Sequence, residues 1–219
     1  MNIHDVYRPF LTHFRRKRLK KIYEYFSSID EKTHILDVGG TMFFWELAKA
    51  EGLPVGQITI LNIYPNPSQD ALPENVNWVV ADGKKLPFND GAFDIAFSNS
   101  VIEHVYNWEA QIEFAKEIRR IAPNYIVQTP SKRFLVEPHY LTPFIHWLPK
   151  KAQRPLLRNF TVWGLITRPS QEHCDRVLAE LRLLNREEMS ELFSEAKIEV
   201  ERFWGWEKSI IALKKTNKN

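Results

Sequence analysis

The chain has 219 residues, 44% hydrophobic, 13% aromatic and 26% charged, with a formal net charge of +3. That length suits one domain with a substantial core, and so small a net charge gives no general case for nucleic-acid binding. A single cysteine, Cys174, excludes an intrachain disulfide framework and a cysteine-rich metal cluster, and no apolar run approaches the ~20 residues that span a bilayer.

Met1–Phe10 carries charges and a proline where a signal peptide needs an apolar core, so a cytoplasmic protein is expected. Tyr7–Ser27 is predicted to be an amphipathic helix, because Phe10, Phe14, Leu19, Ile22, Tyr23 and Phe26 recur at helical spacing. Its other face is basic, with Arg15, Arg16, Lys17, Arg18, Lys20 and Lys21, and Lys150, Lys151, Arg154 and Arg158 form a second basic group. Each group reads either as a solvated helix face or as a contact for phosphates on a nucleotide sugar, a lipid head group or RNA.

Strand one is expected at His34–Val38. A short helix follows through Phe44, Leu47 and Ala48 and is ended by Gly52-Leu53-Pro54. Gln57–Ile63 reads as strand two, Val76–Ala81 as strand three and Phe93–Ser98 as strand four. Trp108–Ile121 has helical periodicity, and Tyr125–Gln128 reads as strand five. Short apolar strands alternating with helical segments argue for βαβ units and a mostly parallel sheet. After Pro130 the pattern changes. Ser131–Asn185 is rich in aromatic, proline and basic residues and is expected to be a helical insertion after strand five. Glu187–Glu195 returns as a helix, and Lys197–Phe203 and Lys208–Lys214 flank the hairpin signal Trp204-Gly205-Trp206.

In open α/β sheets, ligands bind where loops leave the carboxyl ends of parallel strands. Those ends carry Asp37-Val38-Gly39-Gly40, Asn62, Asp82-Gly83 and Ser98-Asn99-Ser100. Glycines after a strand let the backbone turn sharply and approach a ligand. The amide oxygen of Asn62 can accept a ribose hydroxyl, or Asn62 starts a turn toward Pro65. Glu103-His104 and Glu137-Pro138-His139-Tyr140 are further polar clusters. A neutral histidine suits general-base work at physiological pH, although either cluster can equally be structural. Leu141–Pro149 reads as a lid or, beside Lys150-Lys151, as a segment for peripheral contact with a membrane surface.

Asp37-Val38-Gly39-Gly40, the Asp82-Gly83 loop with Leu86-Pro87-Phe88, and Asn99 followed by Glu103-His104-Val105 resemble the class I S-adenosylmethionine-dependent methyltransferases, type 11-like, over most of Thr33–Thr129. The resemblance implies a Rossmann-like, mostly parallel seven-stranded sheet with an antiparallel C-terminal strand. It implies one methyltransferase domain over 1–219, with a helical extension at 1–30 and a cap at 131–185. It also implies S-adenosylmethionine held by Asp37, Gly39 and Gly40 beside the methionine moiety, Asn62 at the ribose, Asp82 and Gly83 at the adenine, and Ser98 near the methyl. Some members hold a metal through Glu-x-x-Glu-His, but Ser100 stands where the first glutamate would be, so no metal is expected. His104, Glu137 and His139 are the candidates for the acceptor side.

The function expected is methyl transfer to an oxygen of a small or medium acceptor, including a lipid-linked or glycan acceptor. The alternatives are a degenerate methyltransferase fold acting as a binding module, and an RNA methyltransferase, against which the absence of an Asn-Pro-Pro-Tyr-like motif argues. An NAD-dependent oxidoreductase is disfavoured, since Gly-x-Gly-x-x-Gly and Tyr-x-x-x-Lys are both missing. The oligomeric state is left open.

Overall fold

The structure is a computed structural model and describes residues 12, 14, 16–20, 22–25, 29–68 and 71–216. Residues 16–20 and 22–25 are helical, while Tyr7, Phe10, Arg15, Lys21, Phe26 and Ser27 of the expected N-terminal helix lie outside the described residues. The alternation then runs as expected: β1 (His34–Val38), α1 (Met42–Ala50), β2 (Gln57–Asn62), β3 (Val76–Val80), β4 (Ile95–Asn99), α2 (Trp108–Ile121) and β5 (Asn124–Pro130). After an inserted segment come α6 (Arg186–Leu192), β8 (Lys197–Phe203) and β9 (Trp206–Lys214).

These strands make one seven-stranded sheet in the order β3-β2-β1-β4-β5-β9-β8. β1 to β5 pair in parallel, and β9 lies antiparallel to both β5 and β8. Both faces are buried, which is why the strands read as nearly continuous apolar runs. In β1, Ile35 joins a core with Leu19, Ile22, Phe44, Trp45 and Leu47, whereas Leu36 and Val38 join a second core with Phe114, Ala115, Ile118 and Ile121. β9 divides likewise, with Ile210 and Ala212 on the second face and Ile211 and Leu213 on the first.

Helix α1, leaving β1, and helix α2, leaving β4, therefore cover opposite faces. Their strands are neighbours, so the chain diverges between β1 and β4 and opens a crevice at their carboxyl ends. β4 starts at Ile95 rather than Phe93 because Asp94 is occupied in joining strand starts: its carboxylate accepts from His34 N at 2.8 Å and its carbonyl from Asn124 Nδ2 at 2.9 Å. β5 runs on to Pro130 because β9 pairs with it as far as Pro130–Ser209.

The inserted segment is less helical than its composition suggests. Two-residue strands β6 (Val136–Glu137) and β7 (Thr142–Pro143) pair antiparallel, a 3-10 turn spans Ile145–Trp147, and helices appear only from Lys150: α3 (Lys150–Phe160), α4 (Val162–Thr167) and α5 (Gln171–Glu180). Prolines at 138, 143 and 149 remove backbone donors that a helix would use. Tyr140, Ile145, Leu157, Cys174, Leu178, Leu181 and Leu183 form a third core here. Phe144 and Trp147 lie on no regular helix: they touch each other at a centroid distance of 5.2 Å and stay about half exposed, Phe144 in a left-handed conformation. Among the described residues no helix is long and apolar enough to cross a membrane.

Candidate active site

A cavity of about 540 Å³ opens at the divergence of β1 and β4. Asp37, Gly39, Gly40 and Thr41 line it from the end of β1, Asn99 and Ser100 from β4, and Gln128 from β5. Phe14 and Arg18 of the N-terminal helix, Lys208 and Ser209 of β9, and Phe134, Val136, Pro138, His139 and Leu141 of the inserted segment complete the wall. Phe134 reaches the cavity, whereas Tyr140, Phe144, Trp147, Phe160 and Trp163 of the same segment do not line it.

The turn after β1 is built by close approach. Gly39 has φ +78, and a Cβ there would stand 2.5 Å from a Val101 methyl; a Cβ on Gly40 would overlap the Asp37 carboxylate. Asp37 is buried, with Oδ2 accepting from Trp45 Nε1 at 2.8 Å and Oδ1 lacking a protein partner. Burial pushes this carboxyl up to about 7, against the opposing pull of the Trp45 hydrogen bond. The folded state thus prefers Asp37 protonated. Its stabilising contribution is complete below the ordinary aspartate pKa of about 3.9 and is lost as pH rises through about 7. In thermal unfolding, the parent should lose stability relative to Asp37→Asn between about pH 4 and 8, by at most about 1.4 kcal/mol per pH unit. Parallel pH profiles for the two proteins would contradict this.

Asn62 lies outside the cavity wall with both ends of its amide engaged. Nδ2 donates to the Gly40 carbonyl at 3.1 Å and Oδ1 accepts from Tyr64 N at 3.2 Å, so it braces the glycine turn and also starts the turn toward Pro65. Asp82 is exposed; Oδ1 accepts from Lys84 N at 2.9 Å and Oδ2 pairs with Lys84 Nζ at 3.3 Å. Gly83 is buried where a Cβ would meet Phe114 and Val38. The loop beyond is pinned to α2: Glu117 accepts from Leu86 N at 2.7 Å, and Arg120 donates to the carbonyls of Phe88 and Leu86. Ser98 is buried and its hydroxyl donates to Val38 O at 3.1 Å, so its neighbours Asn99 and Ser100, not Ser98, face the cavity. Ser100 holds a left-handed backbone, φ 59, and donates to Gln128 Oε1 at 3.0 Å.

The acceptor-side candidates come together although they are far apart in the chain. Glu137 is fully buried, with Oε1 2.6 Å from His139 Nδ1 and Oε2 accepting from Tyr140 N at 2.6 Å. Burial alone would lower His139, but the charge and hydrogen bond of Glu137, with the charge of Glu103, outweigh it and hold the imidazole above its ordinary pKa. The His104 ring meets the His139 ring edge-on at 4.8 Å. Glu103 is buried beneath them, with Oε2 accepting from Thr129 Oγ1 at 2.9 Å and Oε1 without a partner.

Arg18, read from the sequence as part of a basic surface, is only 5% exposed. It donates to the Asn99 side chain and pairs with Glu201 at 3.0 Å. Lys208 Nζ sits 3.8 Å over the Phe14 ring, and burial, with the nearby Arg18 charge, pushes it down to about 8. No local signal distinguishes Arg18 from its basic neighbours, and Lys208 and Glu201 gain meaning only when the C-terminal hairpin folds against the N-terminal helix.

Residues 36–124 match the family model of the methyltransferase domain, a stretch that runs from inside β1 to the first residue of β5. No curated protein matches the sequence. Among solved structures, phosphoethanolamine N-methyltransferase 2 of Haemonchus contortus, in complex with S-adenosyl-L-methionine, is similar at 16% identity and a TM-score of 0.54. The match covers 84% of this chain but only 38% of that one, so this chain spans well under half of that relative's length. The 1,6-didemethyltoxoflavin-N1-methyltransferase of Burkholderia thailandensis, bound to 1,6-didemethyltoxoflavin and S-adenosylhomocysteine, is similar at 12% identity and a TM-score of 0.54, over 92% of this chain and 78% of that one. At these identities the likeness establishes the shared fold. With the strand order and the cavity at the β1–β4 divergence in hand, residues 36–124 carry the match to the methyltransferase domain, on a fold shared with these S-adenosylmethionine- and S-adenosylhomocysteine-bound methyltransferases.

Proposed function

We propose that this methyltransferase moves the methyl group of S-adenosylmethionine to an oxygen atom of a small or medium acceptor bound in the cavity. The observation that carries this reading is His139, held at 2.6 Å by the buried Glu137 and lining the same cavity as the Asp37–Gly40 turn. In such a transfer the acceptor oxygen forms a bond to the methyl carbon as the carbon–sulfur bond breaks. The sulfonium becomes a neutral thioether and the hydroxyl proton leaves. Placing the oxygen in line with the methyl carbon at short range supplies much of the acceleration. A hydroxyl, unlike an amine, must also be oriented and its departing proton accommodated, and the cluster of Glu103, His104, Glu137 and His139 offers groups for that work.

Asp37, Gly39 and Gly40 take the methionine end of the cofactor, and Asn62 serves the ribose by bracing the Gly40 carbonyl. Asp82 and Gly83 take the adenine, and Asn99 and Ser100 replace Ser98 as the β4 residues nearest the chemistry. Residues 131–185 cap the acceptor side through Phe134–Leu141, and Phe14 and Arg18 of the N-terminal extension reach the same cavity. The cationic groups of Arg18 and Lys208 suit an acceptor that carries a carboxylate or phosphate, whether a free small molecule or a lipid-linked glycan.

Calorimetric titration with S-adenosylhomocysteine tests the cofactor seat. Asp82→Ala should weaken binding by about 1–3 kcal/mol if its carboxylate takes the adenine amino group. Asn62→Asp should also weaken it, because an aspartate cannot donate to the Gly40 carbonyl and places charge against it. Full affinity in both variants would move the cofactor away from these loops. Transfer of a labelled methyl group to hydroxylated anionic acceptors then tests the reaction, and transfer confined to amines would refute the oxygen assignment.

A further inference from the structure

We propose that Glu103, His104 and His139 hold a divalent transition-metal ion of the zinc type at the edge of the cavity. Their ligating atoms all lie within 4.8 Å of one another. Three ligands at about 2.0–2.2 Å from a tetrahedral Zn²⁺ stand roughly 3.4 Å apart, so closing the site requires approach by about 1.4 Å. Side-chain rotation at Glu103 and His104 on a 3-10 turn, and at His139 on the loop between β6 and β7, can supply that movement.

Three independent features point to an ion. Glu103 is fully buried, yet Oε1 has no hydrogen-bond partner. An unpaired buried carboxylate oxygen is costly, and a cation beside it removes the cost. The other oxygen is already fixed by the Thr129 hydroxyl at 2.9 Å, which orients the carboxylate.

Second, His139 is held in the manner of a metal-bound histidine. Its Nδ1 faces Glu137 Oε1 at 2.6 Å, and Glu137 is itself fixed by Tyr140 N at 2.6 Å. A carboxylate on one ring nitrogen sets the tautomer and leaves Nε2 as the coordinating atom, the usual outer-sphere support for such ligands. Third, the His104 ring stands edge-on to His139 at a centroid distance of 4.8 Å and 90°. Two imidazoles directed into the same space, next to a buried carboxylate, are better explained by a shared cation than by packing alone.

The donor set decides the kind of ion. Two imidazoles and one carboxylate favour zinc and its neighbours over Mg²⁺ or Ca²⁺, which prefer oxygen ligands. Three protein ligands also leave one position open, as in catalytic zinc sites. His139 lines the cavity, so that position is reached from the acceptor side. On the methyl-transfer reading given above, the open position takes an oxygen atom of the acceptor; the ion site itself does not depend on that reading.

The test uses untagged, chelator-stripped full-length protein, titrated with Zn²⁺ against a chromophoric competitor and with Co²⁺ followed by visible absorption. One ion per chain is expected, with cobalt bands of a low-coordinate site. Glu103→Gln, His104→Asn and His139→Asn should each weaken Zn²⁺ binding a hundredfold or more, and Glu137→Gln about tenfold. His173→Ala, which alters a histidine packed on Trp163, should leave it unchanged. S-adenosylhomocysteine affinity on the same samples reports the fold separately, and the exposed His104 guards against a variant that fails to fold. No stoichiometric binding by the parent, or binding that survives all three ligand substitutions, would overturn the site. Zn²⁺ binding in a protein that does not bind S-adenosylhomocysteine would leave the site standing and overturn the cofactor assignments instead.

Discussion

Glu201→Ala is expected to destabilise the protein by about 3–5 kcal/mol, the usual cost of stranding one member of a buried ion pair. Arg18 and Glu201 are 6% and 8% exposed at their side chains and meet at 3.0 Å. Ser209 also donates to the Glu201 carboxylate, and Lys208 lies near enough for Glu201 to raise it. Burial would push the Glu201 carboxyl up, but the Arg18 charge and hydrogen bond, with Ser209 and Lys208, hold it below its ordinary range. Removing it leaves two neighbouring cations, Arg18 and the Lys208 that sits over the Phe14 ring, without the carboxylate that acts on both. Urea-unfolding midpoints followed by circular dichroism measure the effect. A double Arg18→Met, Glu201→Met variant should recover much of the loss, because it removes the charges instead of orphaning one. A loss below about 1 kcal/mol in the single variant would mean that Arg18 finds water once its partner is gone.

Gly40→Ala should abolish cofactor binding at concentrations that saturate the parent. A Cβ at this position overlaps the Asp37 carboxylate, which cannot swing aside without breaking its bond to Trp45. The turn must move instead, and it takes with it the carbonyl that Asn62 holds. Such overpacking also costs about 1–3 kcal/mol of stability, so loss of binding alone would be ambiguous. Gly52→Ala provides the comparison. Gly52 has φ +71 with open space around its Cβ position, so alanine there is strained but touches nothing. It should lower stability by a similar amount and leave S-adenosylhomocysteine affinity intact. Unchanged affinity in Gly40→Ala would place the cofactor away from this turn.

Much of the sheet domain was legible in the sequence because its signals are local. β1 falls on His34–Val38 and α2 on Trp108–Ile121, as expected from the apolar run and the helical period. The antiparallel C-terminal pair follows from two β-like runs around Trp204-Gly205-Trp206. The inserted segment was less legible. Its composition suggests helix throughout, whereas Ser131–Pro149 forms a hairpin and turns because prolines and a left-handed Phe144 interrupt any helical register.

The site divides in the same way. Asp37, Gly39 and Gly40 stand at the end of an apolar run, where strand geometry alone brings them to the sheet's binding edge. The sequence could also mark Ser98, but not that strand alternation would turn its hydroxyl inward to Val38 and leave Asn99 and Ser100 facing the cavity. It could mark Glu103, His104, Glu137 and His139 as two separate polar clusters. Their union required the loop after β5 to fold back beside the turn after β4, and contacts between distant segments leave no periodic trace in either one. The same holds for Arg18, whose charge reads as surface by composition and becomes buried only because Glu201, on a strand 183 positions away, supplies its counter-charge. Local pattern determined the strands, the glycine turn and the sheet edge on which the cavity opens; tertiary packing decided which charged side chains share the cavity, because burial and pairing are properties of neighbours in space.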